Sequence, residues 1–512
     1  MRTALIAALG GFLMGFDASV ISGVVGAIEV EFSLSKLELG WSVASLALAA
    51  TLAMLASGPL SDRYGRKPIL HCAAILFAIS ALASALAPNF GTLVFARIIG
   101  GLGVGAALII APMYIAEIAP AASRGRMVSI NQLNIVIGIS VAFFSNYLIL
   151  NLAQSGISWT NALLLDTQSW RWMLGVELVP AVLYFVCLRV VPESPRWLAM
   201  MGNEREARQV LELFNTSEQA EQELTSIKRS LESTTEDVRA SFRDLLEPAL
   251  RKVMVIGLVV AILQQITGIN AVFFYAPMIF EQSGIGTDAA FMQAVLVGIT
   301  NLVFTLAAIA LIDKLGRKPL LVFGVAGIAF CMLLLSWGFD QASYTISQDL
   351  LTNLPDPSYS HSLAPLVGTT YETDLTFRAA LIEHLGREDF LKIESELLRD
   401  AISIQPAIIL AGILGFVACF AISIGPVMWV LFSELFPNRV RGLAISVVGL
   451  INSSVSFLVQ LLFPWQLANL GSSLTFLLYG AFAVIGLALV IWLLPETRGR
   501  SLEELETQLV GA

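Results

Sequence analysis

Long apolar runs, separated by short charged or turn-forming segments, dominate the chain. A helix needs roughly 20 apolar residues to cross the hydrocarbon of a bilayer. Twelve runs meet that length, at about 4 to 27, 39 to 60, 69 to 87, 92 to 115, 128 to 150, 171 to 190, 253 to 280, 290 to 312, 319 to 339, 405 to 432, 443 to 463 and 473 to 494. They are numbered as spans 1 to 12. The first follows a single Arg2 and carries Asp17 near its centre; it is too long and too polar for a cleaved signal peptide and reads as a membrane helix. The predicted fold class is all-α: a polytopic membrane protein of twelve transmembrane helices.

Three charged motifs each occur twice. Asp62-Arg-Tyr-Gly-Arg-Lys67 returns as Asp313-Lys-Leu-Gly-Arg-Lys318, an offset of 313 − 62 = 251. Glu117 with Arg124-Gly125 returns as Glu434 with Arg441-Gly442, an offset of 317, and Pro192-Glu193 returns as Pro495-Glu496, an offset of 303. Internal repetition of this kind divides the chain into two six-helix halves. The expected organisation is a first half over 1–191, a helical linker over 192–252, a second half over 253–494 and a tail over 495–512. The changing offset adds 317 − 251 = 66 residues to the second half, placed at about 340–404, and about 14 to the first half around Asn151 to Gln168.

Basic residues set the orientation. The loops after spans 2, 4, 8 and 10 hold Arg63, Arg66, Lys67, Arg124, Arg126, Lys314, Arg317, Lys318, Arg439 and Arg441, against only Lys36 and Arg171 in the short opposite loops. Positive charge stays inside, so the motifs, the linker and both termini are expected in the cytoplasm and the 340–404 insert outside. The cell membrane, the inner one in a bacterium, is the expected location.

Composition agrees with lipid as the main solvent. Of 512 residues 13% are charged, against about 25% in an average soluble domain. The net charge of −9 is concentrated in the insert: Asp340 to Asp400 carries eleven acidic and four basic residues, leaving −2 elsewhere. No basic nucleic-acid footprint remains. Cys72, Cys187, Cys331 and Cys419 lie singly in apolar runs and read as core fillers, so neither a disulfide framework nor a metal site is expected.

Three ionisable residues fall near the middle of spans: Asp17 in span 1, Arg97 in span 4 and Glu177 in span 6. A charge at the bilayer centre costs at least about 2.5 to 3.5 kcal/mol, so each should face the bundle interior and find a partner. Asp17 with Arg97 is the obvious pair. If the pair opens as the protein changes shape, Asp17 gains a proton when Arg97 leaves and loses it on return. A permanent ion pair that only fixes packing is the alternative. Glu177 either modulates Asp17 or bonds to backbone.

Span 7 opens with Gln264-Gln265-Ile-Thr267-Gly268-Ile-Asn270, followed by Phe273, Phe274, Tyr275 and Pro277. Amides are costly in hydrocarbon unless they line a wet cavity or join helices. A sugar suits such a lining, since amides bridge neighbouring hydroxyls while an aromatic ring covers the C–H face. Gln132 in span 5, Asn301 in span 8 and Trp429 in span 10 are candidates to complete it, with interhelical bonding as the other reading.

On the cytoplasmic side Gly65 and Gly316 suit tight turns. Asp62, Arg66, Glu117, Arg124, Glu193, Arg317, Glu434, Arg441 and Glu496 are expected to pair across the two halves as a conformational latch. Gly101-Leu-Gly103-Val-Gly105 superficially fits a dinucleotide fingerprint but lies mid-span without a preceding strand, and reads as small-residue helix packing. Phosphate-binding loops and the common hydrolase and zinc motifs are absent from the sequence, so no enzyme and no cofactor is expected.

These residues resemble the sugar porter family of the major facilitator superfamily. The resemblance rests on the doubled Gly-Arg-Lys, Pro192-Glu-Ser-Pro-Arg-Trp197, Gln264 to Asn270, Gly425-Pro-Val-Met-Trp429 and Pro495-Glu-Thr-Arg-Gly499. It implies sugar contacts at Gln132, Gln264, Gln265, Asn270, Asn301 and Trp429. It also implies a proton site at Asp17 with Arg97 and Glu177, as in bacterial proton-coupled monosaccharide symporters. Two features depart from the family: span 11 reads Asn452-Ser453 where many members have an amide followed by Trp, and the acidic insert is unusual, although animal proton-coupled inositol transporters are similar there. The insert is open to reading as a lid, a partner site or a tolerated loop. The expected function is proton symport of a monosaccharide, hexose or pentose, or polyol by alternating access, by a carrier acting as a monomer in the bilayer. A facilitative sugar or inositol uniporter and a non-transporting sugar sensor are the alternatives.

Overall fold

The structure is a computed structural model that describes residues 2–120, 124–234, 242–352, 354, 357–437 and 440–498. The expected tail beyond 498 therefore lies outside the described residues. Eleven long apolar helices are present among those described, and the last of them, Arg441–Leu493, has 53 residues. At 1.5 Å per residue it would run about 80 Å, more than twice the hydrocarbon thickness. It is broken at Gly471, whose φ of 78° and ψ of 166° leave the helical region. A side chain rarely adopts that backbone, so glycine ends span 11 and starts span 12 there. The expected twelve spans are all found.

Span 1 leaves the α-helix at Ile21–Gly23, between Arg2–Val20 and Val25–Glu31, and three further spans are interrupted within their length. Span 6 breaks between Leu165–Gly175 and Leu178–Leu188, leaving Glu177 at the joint. Span 7 breaks between Arg251–Ile266 and Ile269–Glu281 at Gly268, which has φ 90°. Span 10 breaks between Pro406–Ile422 and Ile424–Leu435 at Ser423. Broken backbone at membrane depth is tolerated where it is buried in protein or lines a cavity.

The chain packs as two compact units. One holds 1–20, 45–145 and 171–242; the other holds 21–44, 146–170 and 243–512. The second unit thus includes the ends of spans 1, 2, 5 and 6 that lie on the insert-bearing side.

In the first unit, spans 1, 3, 4 and 6 share a core that includes Leu13, Phe77, Ile110, Tyr114 and Tyr184. Small residues let backbones meet: a Cβ on Gly101 or Gly105 would strike the carbonyl of Leu46 or Ala50 in span 2, and one on Gly15 would strike that of Ile135 in span 5. The glycine run in span 4 is helix packing, as expected. The linker forms helices Pro195–Met200, Glu204–Glu212 and Ser217–Thr234 around Leu198, Val210, Leu211 and Leu224.

In the second unit, the insert is a small folded body. Its antiparallel sheet has Ser343–Thr345 between Thr370–Tyr371 and Ile402–Ser403, with Tyr344 opposite both Tyr371 and Ile402. Helices Asp374–Leu385 and Arg387–Ala401 pack over it. Tyr344 stacks on Phe377 at 5.3 Å, within a core that includes Ile346, Leu381, Phe390 and Leu397. Of the four cysteines expected as core fillers, Cys331 is buried, Cys187 and Cys419 are half-buried, and Cys72, in span 3 of the first unit, is exposed.

Candidate functional site

Asp17 and Arg97 meet inside the first unit. Asp17 is fully buried and Arg97 is 2% exposed. The Arg97 Nη1 donates to Asp17 Oδ1 and, at 3.2 Å, to the Asp17 carbonyl. The pair is incomplete, because Asp17 Oδ2 and Arg97 Nε find no hydrogen-bond partner among the described residues. Gly100 keeps the space beside it open: a Cβ there would lie 2.7 Å from Asp17 Oδ2 and 2.5 Å from Ser80 Oγ. Glu177, 2% exposed at the break in span 6, feels both charges, and its Oε1 is also unbonded among the described residues. The structure therefore brings together all three intramembrane charges, with spare hydrogen-bonding capacity on each.

The amides of span 7 sit in the second unit and are tied to span 11. Gln265 Nε2 donates to Gln264 Oε1 at 3.1 Å and to Asn452 Oδ1 at 3.2 Å. Asn452 Nδ2 donates to Gln264 Oε1 at 2.8 Å and to the Ala261 carbonyl at 2.9 Å. Asn270 Nδ2 donates to Gln265 Oε1 at 2.8 Å and to Ser456 Oγ at 2.6 Å, and Gln460 Nε2 donates to Ser456 Oγ at 2.8 Å. The network closes on Tyr275, whose hydroxyl donates to the Gln460 carbonyl at 3.0 Å. Gly268 makes the close approach possible, since Tyr479 would stand 3.0 Å from a Cβ there.

Three members of this cluster were not among the expected contacts: Asn452, Ser456 and Gln460. Their spacing of four residues was a usable signal, because it puts all three on one face of span 11. Asn301 is buried in span 8, yet no hydrogen bond ties it to the cluster among the described residues. Trp429 is 49% exposed and packs edge-on against Phe432 at 6.0 Å. Gln132 is exposed in the first unit.

The doubled motifs repeat their main contacts. In the first unit Arg66 makes a two-pronged bond to Glu117 at 2.9 and 3.0 Å and pairs with Asp62 at 3.0 Å. Glu193 accepts from the backbone N–H groups of Arg66 and Lys67 at 3.0 and 3.2 Å. In the second, Arg317 pairs with Glu434 at 2.8 Å, and Glu496 accepts from the N–H groups of Arg317 and Lys318 at 3.1 Å. Each carboxylate caps the N-terminus of a span, where unbonded N–H groups and the helix dipole favour a negative charge. Gly65 and Gly316, with φ of 101° and 92°, supply the turn. The partners in these bonds lie in the same half as each motif. Arg441 donates Nε to the Phe436 carbonyl at 3.0 Å, and the side chain of Arg124 lies outside the described residues.

Residues 3–348 and 391–509 match the model of the family described as "Sugar (and other) transporter". The chain belongs to that family. Among relatives, the arabinose-proton symporter of Bacillus subtilis is 35% identical over 501 residues, covering 98% of this chain and 93% of the relative. The D-xylose-proton symporter of Escherichia coli is 35% identical, covering 98% and 94%. A solved inward open conformation of the E. coli xylose transporter XylE matches with a TM-score of 0.74 at 33% identity, covering 99% of each chain. The architecture is therefore the major facilitator fold in a multi-pass membrane protein, and these relatives are carriers. Residues 349–390, most of the insert, fall outside the family match.

Proposed function

We propose that this chain is a proton-coupled symporter of a monosaccharide or polyol that works by alternating access. The observation that carries the reading is the incomplete ion pair of Asp17 and Arg97. A buried pair kept only for packing gains most when every lone pair and N–H is bonded. Here one carboxylate oxygen and one guanidinium N–H are left over, beside a second carboxyl at Glu177. The named activities of the arabinose and xylose relatives support the same reading. Asp17 is the proton carrier, Arg97 its conformation-dependent counter-charge, and Glu177 the group that adjusts the local field.

Sugar hydroxyls are met by Gln264, Gln265, Asn270 and Asn452, whose mutual hydrogen bonds can be exchanged for bonds to the solute. Gln132, Asn301 and Trp429 approach the solute in only part of the cycle. The halves 1–191 and 253–494 are the bodies that move, and the motifs around Glu193 and Glu496 keep each rigid at its inner face. The motifs, the linker and both termini are cytoplasmic, the insert is external, and the carrier acts as a monomer with no cofactor. Inward proton movement down ~100 mV supplies about 2.3 kcal/mol, enough for roughly fiftyfold accumulation.

The test uses purified protein in vesicles loaded with a pH-sensitive dye. Added sugar should acidify the lumen, and Asp17→Asn should abolish both acidification and accumulation while sugar counterflow persists. Accumulation by Asp17→Asn would reject the proton role. Sugar entry that leaves lumenal pH unchanged would favour the facilitator.

A further inference from the structure

The insert bears on the ends of spans 1 and 2. Glu29 follows span 1 and Lys36 starts span 2, while Glu394 and Arg378 belong to the two insert helices. Lys36 Nζ lies 2.6 Å from Glu29 Oε1 and 3.6 Å from Glu394 Oε2. Glu394 Oε1 is bonded in turn to Arg378. These charges are largely out of water: Glu29 is 7%, Arg378 8% and Glu394 9% exposed. Arg387 also bears on Lys36 electrostatically. At its other side the insert grips the turn between spans 11 and 12, where Asp374 Oδ2 accepts from the backbone N–H of Ser472 at 3.3 Å. A Cβ at Gly471 would come within 2.7 Å of Asp374 Oδ1, so the close seat needs glycine.

The insert is thus joined to the second half by chain, by Asp374 and by its own core, and reaches the first half through Lys36. The same end of the bundle is tightly closed. Gly40 of span 2 abuts the Leu461 carbonyl of span 11, and Trp41 meets Phe457 edge-on at 5.8 Å. Two segments that must part for the outer side to open are therefore crossed by one buried chain of alternating charge, Glu29, Lys36, Glu394 and Arg378.

We propose that the insert is an outer strap, fastened to the first half through Lys36 and Glu394, which holds the outer gate shut and must unfasten before the carrier can open outward. The strap acts on the conformational equilibrium alone, and holds for a uniporter as well as for a symporter. A ligand-free carrier is accordingly biased towards the closed outer gate, and removal of the fastening raises the outward-open population. Residues 349–390, most of the insert and Arg378 with it, fall outside the family match, whereas Glu29, Lys36 and Glu394 fall inside it.

Hydrogen–deuterium exchange read by mass spectrometry on the full chain in lipid nanodiscs tests it. Lys36→Gln and Glu394→Gln should each speed exchange of amides in 21–44 by about threefold, the shift expected from one partly buried ion pair of modest strength. The double variant should show less than the sum of the two effects, because both remove the link between Lys36 and Glu394, while Lys36→Gln also loses Glu29 and Glu394→Gln also loses Arg378. A third variant guards against a disrupted insert. Arg378→Met with Glu394→Leu replaces the buried pair by apolar side chains of similar size, a change that cores often accept. It should leave exchange in 374–398 slow while 21–44 speeds up. Unchanged exchange at 21–44 in the third variant, or additive effects of Lys36→Gln and Glu394→Gln, would overturn the strap.

Discussion

The ion pair in the first unit and the amide cluster in the second answer the same problem, polarity inside hydrocarbon, in opposite ways. Asp17 and Arg97 bury full charges and leave atoms unbonded. Gln264, Gln265, Asn270, Asn452, Ser456 and Gln460 bury only dipoles, and none of their enclosed atoms lacks a partner among the described residues. The difference separates two kinds of chemistry. An amide that bonds another amide can exchange it for a sugar hydroxyl at little net cost, because one hydrogen bond replaces another. A carboxylate facing a guanidinium has no neutral substitute partner, and separation leaves it a charge that only a proton removes cheaply. The cluster is suited to exchange, and the pair to switching.

The largest effect should come from unbalancing the pair. Arg97→Met leaves the Asp17 carboxyl buried without its cation, and loss of one partner from a buried pair typically costs about 3 to 5 kcal/mol. A marked fall in melting temperature by intrinsic tryptophan fluorescence is expected. The double variant Asp17→Asn with Arg97→Met should recover most of it, because neither charge is left. Failure of the double variant to recover would mean that the two residues are held by other groups and that the comparison is wrongly drawn.

Next in size is the hub of the cluster. Asn452→Ala removes the amide that bonds Gln264, Gln265 and the Ala261 carbonyl. Sugar affinity in equilibrium binding should fall about tenfold, equal to 1.4 kcal/mol, with little change in melting temperature, since water can enter a polar site. Gln265→Ala added to it should cost much less than it does alone, as contacting residues in one network are not additive. Full additivity would return the amides to independent interhelical bonding.

These two sites are unequally legible in the sequence. A charge in an apolar run stands out by itself, so Asp17, Arg97 and Glu177 are visible without any knowledge of the fold, and the pairing of the first two follows from cost alone. Span 7 is visible because its amides are adjacent. The facing members of span 11 escape notice although their spacing is helical, because Asn452 reads first as part of a dipeptide, Asn452-Ser453, and not along its face. Trp429 and Asn301 are legible as suitable side chains in suitable spans, but nothing in one sequence fixes the direction in which either points. Span 12 is legible from hydrophobicity although Arg441–Leu493 is one helical run interrupted only at Gly471. The inner motifs are legible as a repeated pair, and their bonds within each half are not. Repetition reveals that two motifs are equivalent, while partner choice is decided by the helix ends that each carboxylate caps.

A smaller effect tests whether the two units are alike where their sites differ. Gly65→Ala and Gly316→Ala each force a side chain into positive φ, about 1 to 2 kcal/mol. A Cβ at residue 65 would lie 2.5 Å from Glu193 Oε2, and one at 316 would lie 2.8 Å from Glu496 Oε2. Both variants should lower the melting temperature by similar amounts, residue 65 slightly more. An effect at one position alone would break the structural equivalence of the two motifs.

The smallest expected effect is at Ser456, and it sharpens the comparison most. Its hydroxyl accepts from both Asn270 and Gln460, so it sits at the edge of the cluster that faces the Tyr275 bond rather than at the hub. Ser456→Ala deprives two amide donors of one acceptor, and a net loss of about 1 kcal/mol follows if nothing replaces it. Asn270 keeps its bond to Gln265 Oε1, which limits the damage to about a two- to fivefold loss of sugar affinity. The accumulation ratio at saturating sugar should not move, because that ratio is set by the proton and the Asp17 pair. A variant that binds sugar as tightly as the parent would place Ser456 in the scaffold. One that lowered accumulation at saturation would show that the cluster and the pair are not separate devices, and the division of labour between exchange and switching would fail.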